Sequence, residues 1–148
     1  MSKFNIEMKA ATTKINGAID KTVRGAVLEM FGEIVRRTPV GNPSLWQNDA
    51  PAGYTGGRLR GNWQVQRRTP NYSTLEIEDA GGSATIGRGS QEINQFDMED
   101  KVLYITNNLP YAERVENGWS KQAPSGMMRT TVEAFRPFIE KHSRQNKV

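Results

Sequence analysis

The chain has 148 residues, a net charge of +4 and a hydrophobic fraction of 36%, and this length is typical of one domain that buries its own core. It has no cysteine and one histidine, His142, which excludes thiolate metal sites and leaves zinc almost without ligands. No run of 18 apolar residues and no apolar signal-peptide core occurs. We therefore expect no membrane segment and a protein made and used in the cytoplasm, or in an assembly built there.

A long helix is predicted over residues 5–37. Apolar residues recur at spacings of three and four from Ile15 to Val35, with charged residues between them. Thr38-Pro39 ends the pattern, because the residue before proline disfavours the helical region. Such a helix is long for a domain of this size, so we expect it to cross a whole sheet or to pack partly against a neighbouring molecule.

The next segment, residues 39–57, is predicted to be a loop that carries Trp46 and Tyr54. It contains three prolines and four glycines, and a loop of this length in a compact domain is usually functional or disordered. Two interpretations of the aromatic residues stay open. They form a docking surface, or they fold back onto the core.

Three strands are predicted after this loop. Residues 62–68 and 74–78 each alternate apolar and polar side chains around turn residues, which predicts an antiparallel hairpin. Residues 101–108 carry apolar side chains on both faces, which predicts a strand buried on two sides. Residues 84–98 lie before the third of these strands and have an ambiguous pattern, and we expect a short helical or irregular piece around 90–96.

The C-terminal third is predicted to be helical. A short helix over 110–117 begins with Pro110 in its first turn and stops at Asn117-Gly118. A last helix over 126–142 is interrupted by Pro137, and residues 143–148 form a polar tail. The order of elements predicts one α+β domain over residues 1–148, with the sheet and the shorter helices in 58–142 and a small antiparallel sheet packed against the long first helix.

No catalytic, cofactor-binding or metal-binding set is evident in the sequence. Glu76 and Glu78 share a strand face, and Glu113 and Glu116 share a helix face. The strand pair could do acid–base work, but the solvated side of a hairpin is its simpler interpretation. Salt bridges or subunit contacts are the simpler interpretation of the helix pair. His142 lies near the C-terminus with no serine that it is expected to activate. We predict that the protein is not an enzyme.

A basic stretch, residues 58–68, offers an alternative function. It holds Arg58, Arg60, Arg67 and Arg68 around Trp63, and arginine with an aromatic residue can bind nucleic acid through phosphate contacts and stacking. Trp63, however, shares a strand face with Val65 and is expected in the core. Arg58 and Arg60 would be free to bind phosphate or a carboxylate on a neighbouring chain.

Three stretches resemble a known family: "RTPV" at 37–40, "TGGRLRGNW" at 55–63 and "VLYITNNLPYAERVENGWSKQAPSGMMRTTVEAF" at 102–135. They are similar to the small tail-completion proteins, also called head–tail joining or neck proteins, of long-tailed bacteriophages. The third stretch is the most specific. One departure is the segment 41–54, which separates two elements that are often nearly adjacent in the family.

The resemblance implies a structural virion protein, assembled in the host cytoplasm as a ring, commonly of six copies. Such a ring lies between the head-side connector and the tail tube, and the genome passes through its lumen without sequence-specific binding. Interfaces of this kind favour aromatic residues and arginine. The stretch 107–124 is then either an interaction loop that presents Tyr111 and Trp119, or a core connection with Trp119 tucked beneath it. The candidate interface residues are Trp46, Tyr54, Arg58, Arg60, Tyr111, Glu113, Glu116 and Trp119.

Overall fold

The computed structural model of the chain describes residues 2–147, apart from the side chain of Phe4. Its elements in chain order are α1 (Lys3–Arg37), α2 (Arg58–Gly61), β1 (Trp63–Arg67), α3 (Ser83–Asn94), β2 (Leu103–Asn107), α4 (Ala112–Glu116), α5 (Met128–Glu133) and α6 (Phe135–Gln145). A single 3₁₀ turn, Pro43–Leu45, interrupts the loop after α1. No helix within the described range has both the length and the apolar character needed to span a bilayer.

The first helix confirms the prediction to within two residues at each end. The Ser2 side chain accepts the Asn5 backbone N–H at 3.3 Å, an N-terminal cap that satisfies one unpaired donor of the first turn. At the other end, the Thr38 N–H bonds back to the carbonyls of Ile34 and Val35 before the chain turns extended at Pro39. The C-terminal half of α1 supplies much of the core, including the fully buried Phe31.

The sheet has two antiparallel strands, with Trp63 opposite Asn107 and Arg67 opposite Leu103. Trp63 and Val65 are buried in the same cluster as Phe31 of α1. The Trp63 indole Nε1 donates to the Thr38 hydroxyl at 2.7 Å, which fastens the start of β1 to the end of α1. This small sheet, packed with a long N-terminal helix and several short helices, confirms the α+β fold.

The predicted hairpin between 62–68 and 74–78 is wrong, because 74–78 forms no strand and β1 pairs with β2 instead. The segment is extended but is held by side-chain amides. Asn62 accepts the Leu75 N–H at 2.7 Å and donates to the Leu75 carbonyl at 3.0 Å. Gln64 donates to the Ser73 carbonyl at 2.8 Å. Alternation correctly predicts an extended chain with two faces but carries no information about its partner.

Three further elements differ from the predictions in burial or in extent. β2 is half-buried along its whole length rather than buried on both faces. The short helical or irregular piece expected around 90–96 is instead the second half of a regular helix. That helix begins at Ser83, where the Asp79 carboxylate accepts the Thr85 N–H at 2.8 Å. The last helix breaks at Ala134, because Pro137 tolerates only the first turn of a helix. Its second part continues to Gln145, so most of the described part of the predicted tail is helical.

Helix α6 packs along the middle of α1. The His142 imidazole lies directly against Gly25, where any β-carbon would clash with the ring. Lys141 pairs with Glu29 one turn further along α1. Because Gly25 has no side chain, the two helices can approach each other closely at this point. This contact leaves the first part of α1, before residue 17, uncovered.

Candidate interaction surface

A groove of about 710 Å³ lies at the C-terminal end of α1, between the loop 39–57 and the segment 111–122. We call it the aromatic groove. Its aromatic lining residues are Trp46, Tyr54, Tyr111 and Trp119, and the other residues used below are Leu45, Arg58, Leu59, Glu78, Ser120 and Lys121. The groove thus brings together five of the eight residues predicted for an interface: the four aromatic residues and Arg58.

One wall of the groove is built by the loop after α1. The rings of Trp46 and Tyr54 meet edge to face with their centroids 5.0 Å apart, a favourable arrangement of aromatic quadrupoles. The Tyr54 hydroxyl donates to the Gly41 carbonyl at 3.4 Å, which draws the loop back onto itself. Trp46 remains exposed, and neither ring belongs to the buried core. The two aromatic residues therefore pack on each other at the surface.

The opposite wall is built by the turn that ends α4. The Gly118 N–H bonds to the Val115 carbonyl and the Trp119 N–H bonds to the Arg114 carbonyl, both at 3.1 Å. Gly118 has a φ of 86°, the left-handed conformation that this type of helix end requires. The turn directs Trp119 outward, so 76% of its surface is exposed, with the Arg114 guanidinium 5.2 Å from the ring centroid. Trp119 is not tucked beneath the connection.

The floor of the groove combines apolar and charged groups. Leu59 is buried at its base, and Tyr111 stands exposed beside it. Arg58 pairs with Glu76 at 2.8 Å, an exposed ion pair that contributes little stability but orients the guanidinium. Desolvation raises the pKa of Tyr111, and the positive charge of Arg58 offsets this only in part. The hydroxyl is therefore a neutral hydrogen-bonding group at physiological pH.

Glu116 has an internal role. Its carboxylate accepts the backbone N–H groups of Met127, Met128 and Arg129 at 2.8, 2.9 and 2.8 Å. Burial alone would raise the pKa of Glu116, but these three donors outweigh burial and the pKa is lowered. The carboxylate therefore joins the end of α4 to the start of α5. It closes the loop 117–126, which carries Trp119.

Arg60 and Glu113 also lie away from the groove lining. The Arg60 guanidinium donates to the Thr38 carbonyl at 2.7 Å and to the Arg36 carbonyl at 3.2 Å. These are the unpaired carbonyls at the end of α1, where a cation also complements the helix dipole. Glu113 is exposed in the first turn of α4. Arg60 therefore stabilises the end of α1 of its own chain. Glu113, by contrast, faces solvent.

Sequence reasoning missed two features of this surface. Leu45, in the 3₁₀ turn, is 67% exposed and lines the groove, but a lone leucine in a loop gives no signal of its own. Glu78 reaches the groove because its segment crosses beside α2, which no local pattern indicates. The pair Asn42-Pro43 is the sequence feature that could have placed a turn next to Leu45, because the Asn42 side chain accepts the Ser44 N–H.

The basic stretch 58–68 does not form a continuous cationic face. The hairpin predicted to carry it is absent from the described residues, and its first part is the helical turn α2. Arg68 bonds to the buried carboxylate of Asp100 at 2.6 Å, and Arg67 reaches the same carboxylate at 3.4 Å. Each of the four arginines is thus engaged by a group of the same chain.

A second apolar surface lies at the other end of the molecule. We call residues 3–19 the arm. Its described side chains from Lys3 to Asn16 are all exposed, including Ile6, Met8 and Ile15. Ile19 is also exposed, at 41% of its surface. The arm is the first half of α1, and the end of α6 lies beside its last two turns, from Thr13 to Ala18.

Between residues 2 and 147, no group of three or more acidic or histidine side chains is arranged to hold a metal ion. The groove presents aromatic rings, the hydroxyls of Tyr54, Tyr111 and Ser120, and scattered charges. Comparison of the chain with protein-family models, with curated proteins and with solved structures finds no match.

Proposed function

We propose that the chain is a structural subunit of the neck of a long-tailed bacteriophage, and that it acts by binding rather than by catalysis. Copies of it would form a ring, commonly of six, between the head-side connector and the tail tube, with the genome passing through the lumen. The observation that carries the proposal is the aromatic groove, which gathers five predicted interface residues on one open surface.

Exposed aromatic rings in a shared concavity are typical of a binding surface. Aromatic residues and arginine are enriched in protein interfaces, whereas isolated exposed apolar residues occur on any protein. Trp119 is held outward by a well-formed turn, and Arg114 lies over its ring. A rigid, exposed tryptophan is the kind of residue that dominates the binding energy of an interface.

The resemblance to neck proteins falls on the same surface. The stretch 55–63 contributes Arg58 and Leu59 to the groove, and the stretch 102–135 contributes Tyr111 and Trp119. The segment 41–54, which departs from the family pattern, contributes Trp46 and Tyr54 as a wall of their own. This agreement supports a virion subunit that is assembled in the host cytoplasm. No observation favours the alternative of nucleic-acid binding by residues 58–68, whose arginines are bonded within the chain.

The proposal predicts that Trp119→Ala leaves the protein folded and prevents particle completion. Because 76% of Trp119 is exposed, truncation should change the free energy of unfolding by less than about 0.5 kcal/mol. Loss of a central aromatic contact in every copy of a ring should lower the yield of infectious particles by at least ~100-fold. The measurement is complementation of a phage that lacks the gene, with electron microscopy of the products.

Tyr72→Ala is the matched control, because Tyr72 is 83% exposed and lies outside the groove. It should leave the particle yield unchanged. The proposal predicts separate heads and tails for Trp119→Ala alone. Normal yields for both variants, or an unfolded Trp119→Ala protein, would show that Trp119 does not serve as an interface residue.

A further inference from the structure

We propose that the arm of one copy binds in the aromatic groove of the next copy. The inference rests on the proposed function, because it takes the chain to be a ring subunit, and it names the contact that closes the ring. The occupant of the groove is then a helix, and it is residues 3–19 of a neighbouring chain.

The first argument is the position of the two surfaces. Among the side chains that the structure describes, twelve large hydrophobic ones are exposed, of which four lie in the arm and four line the groove. The arm begins α1, and the groove begins directly after α1 ends. A helix of 35 residues is about 50 Å long at 1.5 Å per residue. The arm therefore cannot reach the groove of its own chain, although it can reach that of another copy.

The second argument is the pattern of the arm. Met8, Ala11 and Ile15 follow one another at spacings of three and four, which places them on one face of the helix. Ile19 continues the same face one turn later. A helix with anchors at these spacings is the form in which amphipathic helices bind apolar grooves. The groove is open and lined by aromatic rings, which suits side chains of this size.

The third argument is symmetry. A contact between an arm and a groove joins two different surfaces, and repetition of such a contact generates a closed ring when the rotation closes. Pairing of two arms, or of two grooves, would join identical surfaces and would stop at a dimer. The mixed contact covers both apolar surfaces of every copy with a single kind of interface.

The fourth argument is the area available. A buried aromatic side chain removes roughly 150–250 Å² from water, and Trp46, Tyr111 and Trp119 are between 41% and 76% exposed. With Leu45, the groove offers on the order of 400 Å², so a single contact buries about 800 Å² in total, below the usual range of stable complexes. One contact is therefore weak. A closed ring is stable because each copy makes two contacts.

Disulfide trapping tests the contact, because the chain contains no cysteine. Ala11→Cys marks the arm and Ser120→Cys marks the groove, and both substitutions are nearly isosteric. The two full-length variants are mixed at high concentration, oxidised, and separated without reductant. We expect arm-to-groove heterodimers in at least tenfold excess over those formed by Ala11→Cys with Ser83→Cys, whose residue is exposed outside the groove.

Adding Trp119→Ala to the Ser120→Cys variant should remove that excess, since it takes away a groove wall. No excess over the Ser83→Cys control, or a predominance of dimers between two Ala11→Cys chains, overturns the inference. Such a result leaves the proposed function standing if Trp119→Ala still blocks particle completion. Normal particle yields with Trp119→Ala would instead remove the proposed function, whatever the cross-links show.

Discussion

Glu116→Ala is expected to lower the free energy of unfolding by about 3 kcal/mol. The substitution leaves three backbone N–H groups, those of Met127, Met128 and Arg129, without their acceptor. Hydrogen bonds to a charged group contribute roughly 1.5–3 kcal/mol each when buried, and water can replace part of this at a half-buried site. Chemical denaturation followed by tryptophan fluorescence would measure the loss.

The effect of Glu116→Ala should depend on pH. The folded-state pKa of Glu116 is lowered, so the ionised carboxylate stabilises the fold above the unfolded pKa of about 4.3. This contribution is lost as the pH falls through the folded pKa. The difference in free energy of unfolding between wild type and variant should therefore be full at neutral pH and should shrink on acidification below about pH 5.

Glu113→Ala is the matched control, because Glu113 lies on the same short helix and is exposed. It should cost less than about 0.5 kcal/mol. Equal costs for the two variants, or a cost for Glu116→Ala that does not change between pH 7 and pH 4, would contradict the anchoring role of the Glu116 carboxylate.

Asn62→Leu is expected to have an effect of similar size, about 3 kcal/mol. Asn62 is fully buried, and its amide bonds to both backbone groups of Leu75 and to the Arg58 carbonyl. Leucine has nearly the same shape but leaves these three partly buried groups without their partner, at up to roughly 1–3 kcal/mol each before water replaces the lost bonds. The extended segment should then detach, and the groove should lose the edge that Glu78 provides.

Hydrogen exchange at the Leu75 amide would report this detachment directly, together with denaturant unfolding. Asn94→Leu makes the same change at an exposed position and should alter stability by no more than about 0.5 kcal/mol. If the Leu75 amide stays protected in Asn62→Leu, then the amide pair does not hold the segment in place.

The parts of the fold that could be predicted are those with local causes. The spacing of apolar residues up to Val35 and the break at Thr38-Pro39 were enough to predict α1. The local sequence did not determine which segment pairs with which strand. The segment 74–78 has the alternation of a strand, but the amides of Asn62 and Gln64 occupy its backbone groups. Side-chain amides that replace a strand leave no periodic pattern in the sequence.

The same distinction applies to the candidate site. Trp46, Tyr54, Tyr111 and Trp119 could be selected because aromatic residues among turn residues are often exposed, and the structure places all four around one groove. Charged residues were harder to assign. Arg60 and Glu116 have internal partners that lie far away in sequence or beyond the next loop. Their tertiary contacts, rather than their residue types, decide whether they face a partner.

The proposed neck function is tested most directly by a cryo-electron microscopy reconstruction of virus particles purified from a culture that produces this chain. The account predicts a ring of identical copies around the DNA channel, between head and tail, with residues 3–19 of each copy seated on Trp119 of its neighbour. Absence of the chain from the particles, or its presence as a single copy with the aromatic groove open to solvent, would contradict it.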